Sequence, residues 1–185
     1  VVISFGGNAV MTSPSHNSGT DRVAEVVRNL ECDIVVNIQG DEPLIPPENI
    51  DLVIEPLLAR DDLSVSTLMI AIHNSSEMLD PDICKVVVDN AGCALYFTRA
   101  PIPYNRDFDY IEETYSDTKI DSKEWILGFK HIGIYAYKKS FLPQFINMKV
   151  SKLENSEKLE QLRILENRYL IQLVETKQNS IGVDR

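Results

Sequence analysis

An α/β fold on a mixed β-sheet is predicted by three observations. Residues 33–39 carry Ile34, Val35, Val36 and Ile38, a nearly continuous β-branched run of the kind found in a strand covered on both faces. Helix-period stretches alternate with such strands, which implies a three-layer arrangement with helices on both sides of a sheet. Asn90-Ala91-Gly92 has hairpin-turn chemistry, so 85–89 and 94–99 pair antiparallel and the sheet is mixed.

Taken in order, residues 1–4 are too short to classify ahead of the Gly6-Gly7 break, and 11–17 read as loop. Val23, Val26, Val27 and Leu30 recur at i, i+3, i+4 and i+7, predicting a helix over 18–30 that opens with Ser18 and Asp21 in a relative of the capping box. Gly40 ends the strand 33–39. Pro47–Ala59 predicts a second helix, bent or shortened by Pro56. Residues 64–72, 85–89, 94–99 and 130–137 read as strands, and 107–124, acidic and aperiodic, as a long loop. Ser151 and Glu154 form an S-x-x-E box that opens a helix over 152–169, with Leu153, Leu159, Leu162, Leu165 and Tyr169 as its buried stripe. A last strand, Ile171–Glu175, follows.

A chain of 185 residues, 44% hydrophobic and 25% charged, can bury one core and is expected to form a single domain. Its net charge of −10 argues against a general nucleic-acid or membrane-surface binder. Cys32, Cys84 and Cys93 are odd in number and show no C-x-x-C spacing, so neither a disulfide framework nor a zinc site is indicated, and a reducing cytoplasm fits. No apolar run approaches the roughly 18–20 residues that cross a bilayer.

The most informative stretch is NIQGDEP at 37–43. Gly40 lets the backbone turn, and Asp41 and Glu42 project from the carboxyl end of the strand, where open α/β sheets bind ligands. Read plainly, the same pair caps the next helix. Magnesium takes oxygen ligands, commonly one or two carboxylates with phosphate oxygens and water, so Asp41 is a candidate metal ligand. The helix opening in NSGTDR (17–22) presents free N–H groups suited to an anion, although Ser18 as an N-cap and Arg22 as a solvated charge are the plain readings. The Gln39 amide offers both donors and acceptors. Arg99 and Arg106 flank the proline-stiffened APIPYN loop, and a guanidinium fork suits a carboxylate. His131 and Tyr135 lie four apart on one strand, hence on one face. Glu160 stands one turn from Arg163 and can pair with it. Asp184 alone reads as a terminal turn residue.

NIQGDEP, NSGTDR and GVD (182–184), continued by KVVVD (85–89), ALYFTRAPIPYNRD (94–107), HIGIYAY (131–137) and LEQLRILE (159–166), resemble the 3-deoxy-manno-octulosonate (Kdo) cytidylyltransferases in order and spacing over nearly the whole chain. The resemblance implies a Rossmann-like nucleotidyltransferase fold and a magnesium-dependent transfer of CMP from CTP to Kdo for lipopolysaccharide assembly. It further implies a cytoplasmic location and the family's usual homodimer. It assigns Asp41 and Asp184 to the magnesium, Ser18, Gly19, Arg22 and Gln39 to the nucleotide, and Gln39, Arg99, Arg106, His131, Tyr135, Glu160 and Gln161 to the sugar.

The family opens with a strand and a lysine- and arginine-bearing loop that wraps the triphosphate, and it closes with a further helix; neither has a counterpart here. The domain is therefore expected to be incomplete relative to the family. Two alternatives are carried: a non-catalytic remnant of the fold, and the sister group that activates N-acylneuraminate with CTP.

Overall fold

One long strand organises the sheet. The structure, a computed structural model, describes residues 2–16, 18–40, 42–106 and 126–179. Among the described residues, six strands form one sheet: β1 (Ile34–Ile38), β2 (Val65–Ile72), β3 (Lys85–Val88), β4 (Ala94–Thr98), β5 (Gly128–Lys138) and β6 (Ile171–Glu175). They run in the order β4-β3-β5-β2-β6, with β1 also paired to β5. The β2–β6 pair is parallel and the others are antiparallel, the mixed sheet expected from the hairpin. One edge of β5 is shared: Phe129 and Lys130 face β3, whereas 134–138 face β1. The carboxyl end of β1 and the start of β3 thus converge over the middle of β5.

Side chains alternate across β5 with the two-residue strand period. Ile132, Ile134 and Ala136 pack with Val53 and Leu57 of α2 (Pro47–Ala59). Tyr135 and Tyr137 face the opposite way, into a core with Ala24 and Val27 of α1 (Gly19–Val27) and Phe145 of α4 (Leu142–Asn147). Leu162 and Ile164 of α6 (Leu162–Glu166) complete that layer. Helices on both faces give the three-layer α/β architecture that the strand–helix alternation predicts.

Four local expectations change. The helix over 152–169 divides into α5 (Lys152–Glu157) and α6, with Lys158 at φ 57° between them. The break turns Glu157 towards the β4 end and Glu160 towards α1, where each is hydrogen-bonded, and it leaves Leu153 exposed rather than in a continuous stripe. Pro56 does not shorten α2, which runs on to Ala59. α1 ends at Val27, so Leu30 lies outside it and is exposed. Two helices escape the periodicity, α3 (Ser75–Leu79), capped by Asn74, and α4; at five and six residues each is too short to display an apolar repeat. The expected loop at 107–124 lies outside the described residues.

Candidate active site

At the nucleotide end, Ser18 is the N-cap of α1: its side chain accepts from Asp21 N–H at 3.2 Å and Asp21 returns the bond to Ser18 N–H at 3.1 Å. The capping box expected in weakened form is complete and fixes the start of α1. A methyl on Gly19 would come within 3.7 Å of Gln39 Oε1, so this glycine and the residue that leads into the acidic loop are neighbours. Both are exposed. Arg22 reaches back to Thr12 Oγ1 (2.8 Å) and the Ser13 carbonyl (2.9 Å), pinning the segment ahead of α1. Glu42 Oε1 lies 3.9 Å from where a Cβ on Gly133 would sit, placing this carboxylate over the middle of β5. Asp41 and Asp184 lie outside the described residues.

Of the residues expected to face the sugar, His131 and Tyr135 lie together on the α1 side of the sheet. β1 pairs with β5 so that Asn37 lies opposite Tyr135, and β2 sets Thr67 on Tyr135's other flank. His131 stacks obliquely on Tyr135 (5.1 Å between ring centroids) and edge-on against Phe97 (5.3 Å). Burial pushes its imidazole down to about 3, so the ring is neutral at pH 7. Burial also pushes the Tyr135 phenol well above its ordinary value. Two buried polar atoms here lack any hydrogen bond among the described residues, Tyr135 Oη and Asn37 Nδ2. Orphans of this kind are rare and cost about 1–3 kcal/mol each, so a cross-strand pair of them marks a place where polar partners are provided for.

Thr20 Oγ1 donates to Glu160 Oε2 at 2.8 Å, tying the first turn of α1 to the approach to α6. Glu160 also meets Arg163 at 3.5 Å, the one-turn pairing foreseen from spacing, but Arg163 is committed chiefly to Glu154 through bonds of 2.9 and 2.6 Å. Gln161 is buried, its amide 3.8 Å from Cys84 Sγ. Burial raises that thiol to about 12, which makes Cys84 a packing residue rather than a nucleophile.

Arg99, expected as a carboxylate fork, sets Nε and Nη1 on backbone carbonyls. Its Nε donates to the Glu157 carbonyl (3.0 Å), and its Nη1 to the carbonyls of Pro81 (3.0 Å) and Asp82 (3.3 Å). Lys85, fully buried, donates to the Asp80 and Ile83 carbonyls at 2.6 and 2.7 Å. Four successive carbonyls, 80 to 83, are thus held by two cations. Glu157 completes the clamp: burial works against its charge, but bonds from Arg99 N–H, Thr98 and Tyr96 hold its carboxyl below the usual range. Arg106 is exposed.

Among the described residues, no three His, Cys, Asp or Glu side chains cluster as a metal site. Two sizeable hollows, about 630 and 700 Å³, include none of the candidate residues in their linings. All three cysteines are free, as the sequence implied. Thr67, Asn37, Thr20 and Lys85 are the site residues that sequence reasoning passed over; the available signal was a polar side chain inside an otherwise apolar strand or at a helix start.

Residues 1–174 match the cytidylyltransferase family model. The 3-deoxy-manno-octulosonate cytidylyltransferase of Geotalea daltonii is 50% identical over 185 residues, covering 99% of this chain and 71% of the relative. That of Trichlorobacter lovleyi is 47% identical over 186 residues, covering 100% of this chain and 71% of the relative. A solved CMP:2-keto-3-deoxy-manno-octonic acid synthetase complexed with CTP superimposes with a TM-score of 0.84 at 38% identity, covering 99% of this chain and 69% of that one. A glucose-1-phosphate thymidylyltransferase from Bacillus anthracis, 11% identical with a TM-score of 0.55 over 97% of this chain and 61% of that one, shares the fold. With a family model spanning most of its length and relatives near half identity, the chain belongs to the cytidylyltransferase family, among the 3-deoxy-manno-octulosonate cytidylyltransferases.

Proposed function

We propose that this protein transfers CMP from CTP to Kdo, releasing CMP-Kdo and diphosphate. The observation that carries the reading is the convergence of Thr67, His131, Tyr135 and Asn37 on one sheet face, with Glu160 tied to the α1 N-terminus by Thr20. A polar sugar with several hydroxyls is the ligand that such a set of neutral donors and acceptors suits.

In this reading, the α1 N-terminus, Ser18, Gly19 and Gln39 bind the cytidine nucleotide, and Arg22 holds the loop beside it. The anomeric hydroxyl of Kdo attacks the α-phosphorus and gives up its proton to solvent as the new O–P bond forms, while the bond from that phosphorus to the β-phosphate oxygen breaks in line and diphosphate leaves. Asp41 and Asp184 are hard oxygen donors of the type magnesium takes, and the ion would neutralise charge on the phosphates and the departing diphosphate. Tyr135, Glu160 and Gln161 orient the sugar. His131, held neutral by burial, accepts or donates a hydrogen bond without taking the proton. Arg99 acts by fixing the 80–83 turn, and Arg106 is the cation assigned to the carboxylate. A homodimer in the cytoplasm belongs to the same reading; no helix among the described residues is long and apolar enough to cross a membrane.

The test is product formation by the full-length protein with CTP, magnesium and an equimolar mixture of Kdo and N-acetylneuraminate. CMP-Kdo is the expected product. CMP-N-acetylneuraminate in its place, or no diphosphate at all, would overturn the assignment.

A further inference from the structure

The Thr67 hydroxyl sits at an irregularity in the sheet. β2 pairs with β5 through Thr67 and Tyr135, then resumes at Leu68 and Ile132, so 133 and 134 form a bulge on β5. Bulges leave ladder groups unpaired and re-aim side chains, and they recur beside active sites. Thr67, fully buried, fills the gap. Its Oγ1 lies 2.7 Å from the Ile134 carbonyl, 3.3 Å from the Ile132 carbonyl and 2.8 Å from His131 Nε2.

A threonine hydroxyl has one proton and two lone pairs. Both carbonyls can only accept, so the proton goes to the backbone, by the shorter bond to Ile134. The hydroxyl oxygen then faces His131 with a lone pair, and the contact at 2.8 Å requires Nε2 to carry a hydrogen. In a neutral imidazole the other nitrogen is then bare. Nδ1, which pairs with no described residue, is an acceptor.

We infer that Thr67 is a positioning residue that fixes His131 as the Nε2–H tautomer, so that Nδ1 accepts a hydrogen bond from a hydroxyl of the acid sugar and is closed to the sugar's carboxylate. The inference rests on the proposed sugar role of His131 and adds to it. A bare Nδ1 and a carboxylate oxygen both lack a proton and repel, which orients the carboxylate away from His131 and the donating hydroxyls towards it. Selectivity for the sugar's orientation thus originates in a strand irregularity one residue deeper than the side chain that touches it.

The experiment uses the full-length protein labelled with nitrogen-15 at histidine, as wild type, Thr67→Val and Thr67→Ser. Long-range proton–nitrogen spectra at pH 7 distinguish the two tautomers and the imidazolium. Wild type and Thr67→Ser should show the Nε2–H form and similar KM values for Kdo. Thr67→Val should lose the single tautomer and raise KM for Kdo at least fivefold, with KM for CTP within twofold. An Nδ1–H tautomer or an imidazolium in the wild type would overturn the inference, even if Thr67→Val does not fold. A Thr67→Val protein with an unchanged tautomer and an unchanged KM for Kdo would do the same. A wild type with the Nε2–H form but no Kdo-dependent diphosphate release would overturn the functional reading and the sugar half of the inference, and leave the Thr67–His131 bond standing.

Discussion

Thr20 and Glu160, 140 positions apart, are joined by a hydrogen bond of 2.8 Å between Oγ1 and Oε2. Thr20 is almost completely buried in the first turn of α1, beside the residues assigned to the nucleotide, and Glu160 belongs to the segment assigned to the sugar. The bond therefore links the two halves of the proposed site. Thr20→Val keeps the shape and removes the donor, and it should cost about 1–2 kcal/mol in urea unfolding. It should also raise KM for Kdo, because Glu160 loses its anchor. Unchanged stability together with unchanged KM would show that the link is incidental.

Tyr135→Phe makes the opposite stability prediction. The hydroxyl has no described partner, so its removal takes away a buried, unsatisfied group and should leave Tm unchanged or higher. KM for Kdo should nevertheless rise by about tenfold, the equivalent of one hydrogen bond near 1.4 kcal/mol. A Tm drop of several degrees with normal KM would make the hydroxyl structural.

Burial of His131 gives a pH dependence with a definite sign. The folded ring is depressed to about 3 from an ordinary 6.5, so below 6.5 the unfolded chain binds a proton that the folded one refuses. This contribution is fully present above pH 6.5 and is lost as pH falls towards 3. Between pH 6.5 and 5 it should remove up to about 2 kcal/mol of stability, and His131→Gln should flatten the curve over that interval. Parallel curves for wild type and variant, from urea unfolding at each pH, would contradict the burial argument.

Arg163 and Glu154 form a bidentate pair with side chains only 9% and 12% exposed, and Glu154 also closes the Ser151 capping box. Glu154→Gln leaves the buried guanidinium short of an anion and should cost about 3 kcal/mol by urea unfolding. Arg163→Met leaves that carboxylate, itself only 12% exposed, without its cation and should cost a comparable amount. Small losses in both variants would place the pair among weak surface bridges.

The strand 33–39, the hairpin, the Ser151 box and the one-sided placement of His131 and Tyr135 were legible because each rests on local periodicity or turn chemistry. What was not legible depends on contacts between distant segments. The helix over 152–169 breaks at Lys158 because Glu157 is drawn to Thr98 and Arg99, some 58 or more positions away, a pull that no window of sequence contains. Arg99 reads in the sequence as a carboxylate fork; the structure sets its Nε on the Glu157 carbonyl and its Nη1 on the carbonyls of Pro81 and Asp82, partners 17 to 58 positions away. Thr67 is one of two adjacent polar residues, with Ser66, in VSTLMI, and only the β5 bulge gives its hydroxyl a purpose.

The most direct test of the proposed chemistry is diphosphate release by the full-length protein with CTP, Kdo and magnesium, comparing wild type with Asp41→Ala and Asp184→Ala. The account predicts release that requires Kdo, stops when the metal is chelated, and falls by more than about a hundredfold in both variants, roughly 2.7 kcal/mol of lost transition-state stabilisation. Wild-type rates in either folded variant, or no release from a folded wild type, would contradict it.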